Sequence, residues 1–463
     1  MRTSPALRKC CIIVCLLATT GRVTAQASLS LQDLVNAAQT NRPALQEKQA
    51  AADRAQAAVT DARHTALPSF KIQDQVSLAT ANSLPGTYFP TGLVSTSGAI
   101  RPDNNYEPAS GNTAMLYSEY ELANFGLNKA RNNDARARVQ LAKADLRRQR
   151  YLAALQTART YFRLLKAYQQ QTIEQDNVAR YDTLFSLVRA QARAGLRAGA
   201  DTAQTQTELS KARMACNTRA GEIAQLQQDL TYLTGIPRQQ LVVDTSLAKY
   251  DQRLQSTGKA NMLPDTADHP LLDYYARERA SWLVNGQLIR RSYLPKLLLV
   301  GGLWGRGSSI DSHDQYQSLS SGLAYNRLNY GLGLSLVYNL TDIIHRRDKL
   351  SINRQQVQQS DYALQDQQLQ LQTARAKAEA AVTVIDRNML ELPVQLESAD
   401  DLYRQKLAQY RAGVSNLVDL TNAAYLLRQV QTDKIQILTD WFLARLDRAA
   451  AAGNLDSFIQ SLN

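Results

Sequence analysis

The sequence predicts a mixed α and transmembrane β fold, laid down twice within one chain. Three observations carry that prediction. Two halves recur at a fixed spacing, their strands alternate apolar residues with small or polar ones, and long stretches between strands lack proline and glycine.

The repeat is the most informative feature. Arg193-Ala194-Gly195 recurs as Arg411-Ala412-Gly413, 218 residues later. The same offset takes Asp201 to Asp419, Tyr120 to Tyr338 and Val139-Gln140 to Val357-Gln358. Upstream, Pro43 pairs with Pro270 and Leu67-Pro68 with Leu294-Pro295, at an offset of 227. The change falls where loop lengths differ: 81–111 has 31 residues and its mate 306–327 has 22.

Residues 26–235 form the first repeat. A helix over 31–66 is stopped by Pro68. Strands are expected at 70–80 and 112–124, separated by a loop rich in Pro, Gly, Ser and Asn. A long helix spans 125–194, with no proline or glycine from Asn128 to Arg193. After a turn holding Gly195 and Gly199, a helix over 201–233 is closed by Gly235 and Pro237. Residues 236–267 connect to the second repeat, 268–452. That repeat opens with a helix from Asp268 and continues with strands at 296–304 and 329–340. A long helix at 343–410, kinked at Pro393, turns at Gly413 into a helix at 416–452, leaving 453–463 as a tail. Leu209, Cys216, Ile223 and Leu230 fall seven apart, a coiled-coil seam in which Cys216 serves as a small apolar residue.

The second half's last strand alternates clearly. Leu332, Leu334, Leu336, Tyr338 and Leu340 interleave with Gly331, Gly333, Ser335, Val337 and Asn339. This is the apolar-out, small-or-polar-in pattern of a membrane barrel. Ala114, Leu116, Ser118, Tyr120 and Leu122 share the parity, whereas Asp74 interrupts the apolar side of the first strand.

The N-terminus fits export. Arg2, Arg8 and Lys9 precede the apolar run Cys10 to Ala18, and Val23-Thr24-Ala25 offers a cleavage site, so 1–25 reads as a signal peptide. Beyond it Cys216 is the one remaining cysteine, which excludes an internal disulfide. No later apolar run reaches the roughly eighteen residues of a transmembrane helix. Entry into a membrane therefore requires a closed barrel. The formal charge is +12, but the Lys and Arg residues are spread among Gln and Asp along helices, which argues against nucleic acid as a partner.

Four strands cannot close a barrel by themselves, since about eight is the minimum. Several chains must share one barrel, and three copies supply twelve strands. The 125–194 helix spans roughly 105 Å at 1.5 Å per residue, far beyond any bilayer. The shorter helices 31–66 and 201–233, stacked end to end, nearly match one long helix.

The chain resembles the TolC-like outer-membrane efflux family across residues 29 to 452. The resemblance rests on Ser30-Leu31 through Asn41-Arg42-Pro43-Ala44-Leu45 and on Tyr120-Glu121-Leu122-Ala123-Asn124-Phe125-Gly126. It rests most on Tyr410-Arg411-Ala412-Gly413-Val414-Ser415-Asn416-Leu417-Val418-Asp419-Leu420, which resembles the second hairpin tip. The resemblance implies a homotrimer with a twelve-stranded barrel in outer-membrane lipid and a twelve-helix periplasmic tunnel. It implies opening like an iris when a periplasmic adaptor and an inner-membrane RND or ABC pump dock. It places a gate at Asp419, Asn422, Asp201, Tyr410 and Ser415. Adaptor contact falls on Gly195, Leu196, Arg197, Gly413 and Val414. Asn422 and Ser415 stand where the family carries an acidic and a basic residue, so the charged closure is weaker than the family pattern.

No enzyme motif is present. His64, His269, His313 and His345 are scattered, without metal-ligand spacing, and no cofactor is expected. Gly301-Gly302-Leu303-Trp304-Gly305-Arg306-Gly307 ends a strand instead of opening a helix, so it lacks the context for phosphate. Its glycines are expected on a barrel wall or rim, with Trp304 at the lipid–water boundary. With no nucleotide site, the driving force must come from a partner. Drug or small-molecule efflux is the leading cargo reading. Type I protein secretion competes with it, as does a different class, a periplasmic coiled-coil adaptor or structural protein.

Overall fold

Two unbroken helices dominate the computed structural model, which describes residues 29–83, 99–100, 102–196, 198–243 and 269–462. The expected signal peptide, Arg197, the middle of the 81–111 loop and most of the 236–267 connection lie outside the described residues. In chain order the main elements begin with α1 (Leu31–Thr40), α2 (Pro43–His64), β1 (Ser69–Ala79), β2 (Ala109–Ala123), α3 (Leu127–Arg193) and α4 (Gly199–Thr234). They continue with α5 (Pro270–Ser292), β3 (Lys296–Ser308), β4 (Arg327–Val337), α6 (Asp342–Arg411), α7 (Leu417–Ala451) and α8 (Leu455–Ser461).

The single helix expected over 31–66 is two helices. Pro43 occupies the first turn of α2, and the residue before a proline is driven out of helical geometry. Arg42 accordingly sits at φ −67°, ψ 122°. Ser30 caps α1 in a reciprocal box with Asp33, and Leu31, Leu34, Val35 and Ala38 bury its inner face against α3.

The break changes which helices stack. The end of α4, marked by Gly235 at φ +71°, meets Asn41 just before α2, and Asn41 Nδ2 donates to Thr234 O at 3.4 Å. In the second half, α7 is followed by Gly453 at φ +78°, which meets His269 at the start of α5. The offset of 218 that relates Gly195 to Gly413 also relates Gly235 to Gly453, and all four have positive φ. Each junction therefore needs a residue without a Cβ, since L side chains are strained there. The long helices α3 and α6 have 67 and 70 residues. α6 runs on through Pro393 without a break, with the proline exposed and Leu392 buried.

At the α7–α5 junction, His269 is 1% exposed. Its Nδ1 accepts from Leu271 N at 3.1 Å, and its Nε2 lies 2.9 Å from Ala450 O. The Tyr151 hydroxyl donates to the same carbonyl, and the two rings meet edge to face at 5.2 Å. Burial lowers the His269 pKa, opposed by the Ala450 bond. The folded chain thus prefers neutral imidazole more than the unfolded chain does. This contribution is complete above the unfolded value of about 6.5 and is lost as pH falls below it. Melting curves between pH 8 and pH 5 should fall on the acid side. His269→Asn keeps a capping acceptor and should flatten that part of the profile.

The four long strands form one antiparallel sheet in the order β1-β2-β3-β4. Register places Ile72, Leu116, Leu303 and Tyr330 in one row, and Phe70, Val76, Leu299, Leu332, Leu334 and Leu336 share that face. The opposite face carries Lys71, Gln73, Gln75, Thr113, Glu119, Arg306, Asn329 and Ser335. Asp74 interrupts the apolar face but accepts from the Tyr325 hydroxyl at 3.1 Å. The Tyr325 ring lies against Gly305, where an added Cβ would meet it at 3.2 Å.

Three strand expectations are corrected. β4 ends at Val337, not 340, because the Asn339 side chain captures Thr341 N and Oγ1 and donates to Asp342, turning the chain into α6. β3 runs on to Ser308 because Gly305 and Gly307 leave room for the returning segment 319–325. Trp304 belongs to the polar face, with its ring against Gly331, and so sits opposite the apolar surface.

Between sheet and tips, a waist core stacks Phe162 on Phe442 at 5.2 Å, with Trp441 edge-on to Phe442. Along α4, Leu209, Ala212, Ile223, Leu230 and Leu233 are buried, while Cys216 is only half-buried.

Candidate functional site at the hairpin tips

Each half ends, opposite the sheet, in a helical hairpin closed by the same device. After α3, Gly195 adopts φ +75° and Leu196 N donates to Gln191 O at 2.9 Å. After α6, Gly413 adopts φ +78° and Val414 N donates to Gln409 O at 3.0 Å. This is the six-to-one bond of a Schellman stop, which requires a left-handed residue and so selects glycine. Leu196 and Val414, 74% and 76% exposed, project from the two tips.

The start of α7 is set by Asn416, whose Oδ1 accepts from Asp419 N at 2.8 Å. Asp419 Oδ2 accepts from Ser415 Oγ at 3.2 Å and lies 3.8 Å from Lys406 Nζ, back on α6. Asp419 thus carries two local partners, and its carboxylate is turned toward its own hairpin. Asn422 is exposed, as are Val418 and Tyr425 on the same side of α7. Asp201 lies half-buried in the first turn of α4, where the helix dipole favours a carboxylate.

Tyr410 lies elsewhere. It is 0% exposed and belongs to a buried cluster with Tyr181, Leu184, Val188, Leu209, Leu417 and Leu420, drawn from all four tip helices. The structure puts Ser415 and Asp419 in hydrogen-bond contact and adds Lys406, which the sequence did not single out. Nothing in the local pattern marks that lysine, because it reaches Asp419 across the turn. Among the described residues, no three His, Cys, Asp or Glu side chains gather to hold a metal ion.

Residues 34–236 match the profile of the family described as outer membrane efflux protein. The match covers 203 of the chain's 463 residues, nearly all of them in the first repeat. Members of that family are channels of the outer membrane. No curated protein matches it in sequence. Solved channels of similar fold include CmeC of Campylobacter jejuni, 14% identical, with 94% of this chain and 90% of that one covered at a TM-score of 0.73. VceC of Vibrio cholerae is 13% identical, covering 91% and 96%, with a TM-score of 0.71. The open state of MtrE from Neisseria gonorrhoeae is 17% identical, covering 92% and 89%, with a TM-score of 0.64. The likeness to these channels in fold extends across both halves of the chain.

Proposed function

We propose that the chain is an outer-membrane efflux channel, three copies of which close one twelve-stranded barrel that continues into the periplasm as a twelve-helix tunnel. One observation carries the reading. Within the described residues β1 and β4 each pair along one side only, in a sheet with one apolar face. Leu332, on that face, is 79% exposed. Unpaired edges and such a face are stable in lipid only when neighbouring copies complete the barrel. α3, at about 100 Å, then projects well beyond the membrane.

The hairpin tips form the periplasmic entrance, where an adaptor docks on Leu196 and Val414. An inner-membrane pump of the RND or ABC class supplies the energy, and the cargo is drugs or other small molecules. The tips open like an iris. Val418, Asn422 and Tyr425 line the aperture, with an Asp419 ring softened by Lys406 behind them. In planar bilayers the purified protein should conduct as a trimer and be blocked by multivalent cations. Asp419→Asn should relieve that block. Lys406→Met, which removes the competing ammonium, should strengthen it a few-fold, as expected for an exposed ion pair. Conductance unchanged in both variants would remove Asp419 from the gate, and a monomeric, non-conducting protein would end the trimer reading.

A further inference from the structure

Just behind the tips, a cavity of about 180 Å³ lies between α3, α6 and α7. Its apolar wall is built by Leu184, Leu187, Leu407, Leu420 and Ala424. Its lining also includes two guanidinium groups, Arg180 from α3 and Arg411 from the end of α6, together with Tyr403. The Arg180 guanidinium carbon stands 5.3 Å from the centre of the Tyr403 ring. Burial raises the Tyr403 pKa, with Arg180 and Arg411 opposing the rise and Asp400 adding to it.

The neighbouring charges do not satisfy these arginines. Glu208 is paired with Lys211 at 2.8 Å, Asp400 with Arg404 at 2.7 Å, and Glu174 with Arg428 at 2.6 Å. Among the described residues no carboxylate stands within ion-pair range of Arg180 or Arg411. Arg180 Nη1 is buried and has no hydrogen-bond partner. A buried guanidinium donor without an acceptor is costly, and a planar carboxylate matches its fork. The cavity volume decides the rest of the ligand: a dry cavity of roughly 150 Å³ accepts a benzene ring.

We propose that this cavity is a binding site for a small amphipathic carboxylate, with an aromatic or short aliphatic body among the leucines and its carboxylate between Arg180 and Arg411. The site is distinct from the aperture, since none of its walls belongs to the Val418–Asn422–Tyr425 side of α7. A ligand seated there touches α3 on one side and the α6–α7 hairpin on the other, so occupancy ties the two hairpins together.

Calorimetric titration of the purified full-length protein in detergent tests this, with benzoate as the probe and benzamide as its uncharged counterpart. Benzoate should bind saturably and benzamide at least about tenfold more weakly, the scale of one charge-assisted contact. Arg180→Met should weaken benzoate by at least the same factor, about tenfold, with the melting temperature retained. Ala424→Phe, which fills the cavity, should abolish binding. If that chain does not fold, Leu187→Trp fills the same space. Absence of saturable benzoate binding to the unaltered protein overturns the proposal. So does equal binding of benzamide, or benzoate binding that survives both Arg180→Met and the filling variant. The titration needs no membrane or pump, so its outcome is independent of the channel reading.

Discussion

Replacing Arg428 with methionine is expected to destabilise the chain by about 3–5 kcal/mol, the range for removing one partner of a buried ion pair. Glu174 is 3% exposed within the wall of packed helices. Its Oε1 accepts from Arg428 Nη1 at 2.6 Å, joining α3 to α7. Gln170 and Asn177, one turn to either side on α3, are buried as well, so the carboxylate sits in a polar seam closed to water. Taking away Arg428 leaves an unpaired buried charge, whereas replacing both partners removes the charge together with its partner. Urea unfolding in detergent should therefore show the deep loss for Arg428→Met and recovery of most of it in the double variant Glu174→Leu/Arg428→Met. A single-variant loss below about 1 kcal/mol, the scale of a surface pair, would contradict the burial of Glu174.

Tyr410→Ala is expected to cost a similar amount, about 3–5 kcal/mol by the scale for deleting a buried aromatic ring. It should also loosen the tips. The ring is the one fully buried contribution of α6, beside the partly buried Tyr403 and Leu407, to the only cluster among the described residues that joins both hairpins at their tips. Its loss leaves a cavity between them. Bilayer recordings should show larger or noisier conductance, together with a lower melting temperature. Val414→Ala, four residues on and 76% exposed, should change stability by no more than about 0.5 kcal/mol. Equal effects of the two substitutions would rule out packing as the role of Tyr410. The family resemblance placed Tyr410 at the gate; the fold buries its ring among the tip helices, so in the proposed channel it would act through their packing.

The sequence made the repeated plan legible because its signals are local and strong. Absence of proline and glycine marks α3, period-two alternation marks β4, and Gly195 and Gly413 mark the two stops. What escaped it depended on competition or distance. Pro43 was read as a repeat mate of Pro270, although a proline also opens a new helix, and so the split between α1 and α2 was missed. Leu340 kept the alternation of β4 going on paper, but the Asn339 side chain offers the backbone a turn instead. The face taken by Trp304 follows from pairing register, which only the neighbouring strands fix. Lys406 meets Asp419 through a turn, and Arg180 meets Tyr403 between helices more than two hundred residues apart in sequence. Tertiary packing alone creates such pairs.

The jointed helices have a mechanical consequence. Each half places an unbroken rod, α3 or α6, beside a column interrupted at the waist, α4 below α2 or α7 below α5. A torque applied at the tips travels undiminished along the rods. In the columns it meets a hinge at Gly235 or Gly453, where the backbone is already bent and no continuous ladder resists rotation. A twist imposed on the lower storey would therefore be taken up first at these junctions, before it reached the storey that leads into the sheet.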